Sequence, residues 1–178
     1  AVDAESFARR YLAHAASQLP GHDSETLDAI AAASREFGYV RGSGEILVRV
    51  RDVAAETSAV EIVTADASYL VDSVRSELER CGRPAERLLH PQMVVERDSS
   101  GRLSRVLDVD DNADVPAGAI VESWMYIELD AVPADEHAAL ADNLHRVLAD
   151  VHHAVDDAPS MYARIRELAD VLSEDPGE

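Results

Sequence analysis

The chain has 178 residues, enough for one domain with appendages and a core of its own. Sixteen arginines against thirty-five aspartates and glutamates give a formal net charge of −19, which repels phosphate backbones and anionic headgroups, so neither nucleic acid nor a membrane is an expected partner. Lysine is absent, which closes Schiff-base catalysis, a lysine general base and the phosphate-gripping lysine of a P-loop.

The first forty residues have helical periodicity. Phe7, Tyr11, Ala15 and Leu19 recur at near-helical spacing until Pro20 and Gly21. Asp23 or Ser24 can cap a second helix carrying Leu27, Ile30, Ala31, Ser34 and Phe37, which ends before Gly38. The turn residues of "RGSGE" (41–45) then give way to "ILVRVRDV", where Ile46, Val48 and Val50 alternate with Leu47, Arg49 and Arg51 as in a half-buried strand. A second β-branched run spans Val60 to Thr64. Asp66 or Ser68 can then cap a helix with the stripe Leu70, Val74, Leu78 and Cys81, and Gly82 is suited to the left-handed position after it.

"QMVVERD" and "RLSRVLD" flank "DSSG", a hairpin loop with Gly101 at the positive-φ position. In the next strand, "AIVESWMYIELD", Val121, Ser123, Met125, Ile127 and Leu129 share the face expected toward the core. Glu122, Trp124, Tyr126 and Glu128 share the other. Trp124 and Tyr126 are candidate interface residues, to be covered by the N-terminal helices or by a neighbouring subunit or domain. A long helix opens near Asp135 after Pro133, with the stripe Leu140, Leu144, Val147, Leu148, Val151 and Val155. Pro159 is expected to end it, leaving a shorter helix with Tyr162, Ile165, Leu168 and Leu172 before the acidic "SEDPGE".

This order implies an α+β sandwich of the ferredoxin-like kind: a mainly antiparallel sheet with helices on one face, preceded by two N-terminal helices. The expected divisions are an N-terminal helical segment over 1–44, the α+β domain over 45–157, and a C-terminal helix with an acidic linker over 158–178.

Motifs that carry chemistry are few. In "DVDDNAD", Asp108, Asp110, Asn112 and Asp114 occupy positions 1, 3, 5 and 7 of a calcium loop. Ala113 stands where glycine is needed and Ala119 where a glutamate should close the shell, so a solvated loop is expected and no metal. His137, His145, His152 and His153 lack HExxH spacing and read as surface histidines of an acidic helix. Gly42 and Gly44 are followed by Leu47 where a dinucleotide fingerprint needs its third glycine, and GxSxG is missing. Cys81, the single cysteine, lies on an apolar stripe as an inert thiol and can form no internal disulfide. With no apolar run long enough for a bilayer, the expected compartment is the cytoplasm. The chain opens on Ala1 rather than Met, and we expect it to be a piece of a longer one. The remaining candidate is the strand-to-helix turn "TADASYLVD", whose helix N-terminus favours a carboxylate such as that of an amino acid. Asp66, Ser68 and Asp72 are the candidate effector-binding residues there, with His90 as a neighbour.

Taken in order, "VEIVTADASYLVDSVRSELERCG", "LLHPQMVVERDSSGRL" and "ESWMYIELD" resemble the N-terminal region of the large bacterial NAD-specific glutamate dehydrogenases. The resemblance spans about Val48 to Asp130. It implies an ACT-like regulatory or assembly module within a much longer enzyme that oxidises L-glutamate to 2-oxoglutarate and ammonia with NAD. On that reading catalysis and the cofactor belong to a distant C-terminal part, and no catalytic residue carries over to this chain. The implied partners are the remainder of the parent chain, sister subunits and an amino-acid effector; the alternative is a purely structural docking or oligomerisation module. Ala67, Ser68 and Tyr69 depart from the family's pattern of a hydrophobic residue, Pro and Phe.

Overall fold

A computed structural model describes residues 3–109 and 114–174. It opens with α1 (Ala4–Tyr11), α2 (Ala15–Gln18) and α3 (Ser24–Phe37). The helix expected to run on to Leu19 is therefore broken after Tyr11, although Phe7, Tyr11, Ala15 and Leu19 are all buried as its spacing required. Asp23 caps α3 by accepting from the Thr26 N–H at 2.8 Å.

The sheet is built from β1 (Leu47–Ala54), β2 (Thr57–Ala65), β3 (Arg87–Leu89), β4 (Gln92–Arg97), β5 (Leu103–Leu107) and β6 (Ile120–Asp130). Helix α4 (Leu70–Arg80) follows β2, and a 3₁₀ turn (Ala134–Glu136) leads from β6 into α5 (His137–Glu174). Strand order is β1-β2-β6-β4-β5, with every pairing antiparallel. Strand β3 lies on the same side of β6 as β4: Leu89 pairs with Tyr126 and Gln92 with Ser123. The two are one strand interrupted at His90 and Pro91, where proline has no N–H for the ladder. Gly101 turns the β4–β5 hairpin at φ 77°, and Gly82 follows α4 at φ 70°.

Both faces of the sheet are covered. On one, Val60, Ile62, Met125, Ile127 and Leu129 pack against Leu70, Val74 and Leu78 of α4 and Leu140, Leu144 and Leu148 of α5. On the other, Ala59, Val63, Trp124 and Tyr126 pack against Phe7, Tyr11, Ala15, Leu19, Ile30 and Ala31. Trp124 and Tyr126 are each 1% exposed, so the N-terminal helices cover them and they offer no surface to a sister subunit. Residues on both sides of position 44 share that core. Phe7 stacks on Tyr11 at 5.3 Å and meets the Trp124 ring edge-on at 5.2 Å. Gly38 lets Trp124 reach this position, since a Cβ there would collide with the indole ring.

Three buried carboxylates fasten the aromatic layer. Glu122 accepts from Arg41 Nε (2.9 Å), Arg97 Nε (2.7 Å) and Trp124 Nε1 (3.0 Å). Glu61 accepts from Arg49 (2.6 Å), Arg51 (2.8 Å) and the Ser34 hydroxyl of α3 (2.9 Å), and Tyr11 donates to Ser34 in turn. Glu128 pairs with His22 at 2.8 Å and accepts from Arg87 (2.9 Å) and the Tyr126 hydroxyl (3.1 Å). Each buried charge is thus met by opposite charge or several donors, the condition for its being tolerated.

Pro159 does not end the long helix. The helix α5 continues to Glu174, because a proline removes one N–H bond and a run of 38 residues can lose one without stopping. Residues 110–113, which include Asp110 and Asn112 of the candidate calcium loop, lie outside the described residues.

Candidate functional site

Where the apolar face under α4 and α5 runs out, it gives way to a polar row. Thr64 of β2, Ser123 of β6 and Gln92 of β4 are register partners on the same face. Ala65 ends β2, and the turn beginning at Asp66 folds back over this row. The Asp66 N–H donates to the Val121 carbonyl at 2.9 Å. Its carboxylate accepts from the Ser123 hydroxyl at 2.5 Å through Oδ1 and from Gln92 Nε2 at 2.9 Å through Oδ2. His90 Nε2 lies 3.0 Å from the same serine oxygen, and the His90 backbone N–H donates to Gln18 Oε1 at 3.2 Å.

Asp66, Ser123 and His90 are the residue types of a hydrolytic triad in the wrong order. Nucleophilic activation needs the imidazole between acid and hydroxyl, so that it can take the hydroxyl proton. Here the serine is in the middle. Its proton goes to Asp66, and its oxygen accepts from His90 Nε2–H. Ser123 is also 0% exposed, beyond reach of a substrate. Burial holds the His90 imidazole below its ordinary pKa, against an opposing pull from the Asp66 charge, so the ring serves as a neutral donor. The arrangement locks the β2–α4 turn in place.

Beyond the turn lies an open groove of about 740 Å³, walled by Gly44 to Ile46, by Thr64 to Ser68 and by α5 with His145, His152 and Asp156. His152 closes the polar row from above, its Nε2 lying 2.8 Å from Thr64 Oγ1. Tyr69, at the N-cap of α4, has φ 70° and makes no side-chain cap, which corrects the expectation that Asp66 or Ser68 caps this helix. Asp66 is engaged by the sheet, and the left-handed residue starts the helix without a cap.

The four sequence candidates separate as follows. Asp66 and His90 are joined through Ser123, and Ser68 lines the groove. Asp72 sits in the exposed first turn of α4, on a different surface with Tyr69, Ser76 and Arg80. Ser123, Gln92, Thr64 and His152 complete the cluster, and sequence reasoning does not point to them as site residues. The available signal was a serine and a threonine within otherwise apolar core-facing strand positions. His152, expected as a surface histidine, is half-buried on Thr64. Among the described residues no group of three or more His, Cys, Asp or Glu could hold a metal ion, and no helix is long and apolar enough to cross a membrane.

Residues 7–144 match the family model described as "Glutamate dehydrogenase, ACT1 domain". The chain is 32% identical over 168 residues to an NAD-specific glutamate dehydrogenase of Mycobacterium tuberculosis, a match covering 91% of this chain and 10% of that protein. It is 37% identical over 113 residues to the NAD-specific glutamate dehydrogenase of Pseudomonas aeruginosa, covering 62% of this chain and 7% of the relative. The one of Halomonas elongata is 34% identical over 115 residues, covering 64% and 7%. The chain therefore spans a tenth or less of the length of these relatives. With an antiparallel α+β sheet and a family match over most of its length, this chain belongs to the glutamate dehydrogenase ACT1 domain family.

Proposed function

We propose that this chain is the N-terminal regulatory and assembly region of a large NAD-specific glutamate dehydrogenase. The parent enzyme converts L-glutamate to 2-oxoglutarate and ammonia with NAD, in a part of the protein outside this chain and within the cytoplasm. The carrying observation is the family match over residues 7–144, joined to relatives that are each NAD-specific glutamate dehydrogenases of far greater length. The sequence agrees with that division of labour: it has no lysine and no dinucleotide-binding glycine fingerprint.

The regulatory ligand is an amino acid held in the groove beside the β2–α4 turn. Asp66 and Ser68 on the groove wall present oxygens to its ammonium group. His90 acts through Ser123 to hold Asp66 in position. A second reading, docking or oligomerisation without a small molecule, is favoured by one observation: both Asp66 oxygens already have partners within the chain. Calorimetric titration of the chain with the common amino acids separates the two. Saturable heat at millimolar ligand, lost in Asp66→Asn and weakened in Ser68→Ala, is the expected result. No heat and no thermal shift with any amino acid would leave the docking module.

A further inference from the structure

A different cavity lies on the opposite face of the sheet, beneath α3. Its floor follows one register row: Arg51 of β1 opposes Ala59 of β2, Ala59 opposes Glu128 of β6, and Glu128 opposes Arg87 of β3. Directly opposed residues share a face, so two arginines flank a small residue and a carboxylate across roughly 14 Å of sheet. The cavity measures about 410 Å³, within the range of small-molecule sites. Ile30, Ala33, Val53 and Ala54 give it apolar walls, and Thr26 adds a hydroxyl.

The charges around it do not cancel. Arg49 and Arg51 share the single carboxylate of Glu61, leaving one positive charge in excess. Glu128 is matched by Arg87 and also contacts His22. Arg51 uses Nε on Glu61 and Arg87 uses Nη1 on Glu128; among the described residues the remaining N–H groups of both guanidinium groups have no acceptor. Both side chains line the cavity at intermediate exposure, 32% and 40%, so these donors are reachable from solvent. Tyr126 stays protonated and donates to Glu128, because burial and then the Glu128 charge push its phenol well above the ordinary range. In a chain of net charge −19, an anion needs a local positive excess of this kind to bind at all.

We infer that this cavity binds a small monocarboxylate with an apolar body. Its carboxylate is held by Arg51 with Arg87 at the opposite rim, and its hydrocarbon part rests on Ile30, Val53 and the alanines. One excess charge suits one carboxylate, the planar guanidinium gives it paired donors, and the apolar walls select a branched or short aliphatic chain over a bare inorganic anion. This site is separate from the groove at the β2–α4 turn and does not depend on it.

The test is calorimetric titration of the chain with isovalerate, with isovaleramide as its uncharged counterpart, and with acetate and inorganic phosphate. Isovalerate is expected to bind saturably in the millimolar range, and each of the other three at least about tenfold more weakly. Arg51→Gln leaves Glu61 with Arg49 and Ser34, and should weaken isovalerate by about tenfold or more. Ala33→Leu fills the apolar side while retaining every charge, and should abolish binding with the thermal transition intact. The inference is overturned by equal affinity for isovaleramide or phosphate, by wild-type affinity in Ala33→Leu, or by no saturable binding of isovalerate.

Discussion

The two faces of one sheet are held by different physics. Toward α4 and α5 the contact is mainly aliphatic, with Leu140, Leu144 and Leu148 laid over Ile62, Met125, Ile127 and Leu129. Toward the N-terminal helices an aromatic layer is threaded by Glu61, Glu122 and Glu128, each hydrogen-bonded to arginine or histidine. Burial of aliphatic surface is non-directional and tolerates substitutions that conserve volume. Buried ion pairs are directional, and removing one partner strands the other. The aliphatic face therefore glues and the polar face registers, placing α1 and α3 in one position over β6.

The largest effect that would expose this difference is Glu122→Ala. It leaves the Arg41 and Arg97 guanidinium groups buried without their carboxylate and should cost about 3–5 kcal/mol in a urea unfolding curve. Leu144→Ala should cost about 2–5 kcal/mol through lost contacts and a residual cavity. The faces then diverge under conservative change. Leu144→Met should cost less than about 1.5 kcal/mol, whereas Glu122→Gln, equally close in shape, should lose most of what Glu122→Ala loses, because the neutral amide cannot balance two buried cations. Equal tolerance of Leu144→Met and Glu122→Gln would remove the distinction.

The finest contrast is in pH. Burial drives the Glu61 carboxyl up, but the hydrogen bonds and charges of Arg49 and Arg51 together outweigh it and hold it below its ordinary value of 4.5. A depressed carboxyl contributes stability that is present above the unfolded pKa and lost as pH falls through the folded one. His90, held below 6.5 by its burial, acts earlier: the unfolded chain takes up its proton first, so stability begins to fall once pH drops beneath about 6.5. Stability measured against pH should therefore decline in two stages on acidification. His90→Gln should remove the first stage and Glu61→Gln should shrink the second, to which the depressed carboxyls of Asp3, Asp23, Glu77 and Asp98 also contribute. A first stage unchanged in His90→Gln, or a second stage undiminished in Glu61→Gln, would contradict these assignments.

The elements written in alternation or helical spacing were legible from sequence. "ILVRVRDV", the Leu140 to Leu148 stripe, Asp23 as a cap, and Gly82 and Gly101 at positive φ all stand where their residues pointed. Strand β3 was not, because three residues beside a proline carry no periodicity and are paired only by what β6 offers them. The continuation of α5 through Pro159 also escaped, since a local breaker was set against a long helix that could absorb it. At the candidate site, Asp66 and His90 were visible as polar residues flanking strands, but Ser123, which joins them, looked like one more core position of β6. Tertiary closure, which brings residues 66, 90 and 123 within hydrogen-bond reach, leaves no local signal beyond a serine at a core-facing strand position. The coverage of Trp124 and Tyr126 was open for the same reason, since two amphipathic segments do not declare which face they will occupy.

The division of labour proposed for this chain is tested most directly by supplying the purified, folded chain with L-glutamate and NAD and following NADH. The account predicts no formation above the protein-free control at any pH at which the chain remains folded. Glutamate-dependent NADH formation that scales with the concentration of the chain would contradict it.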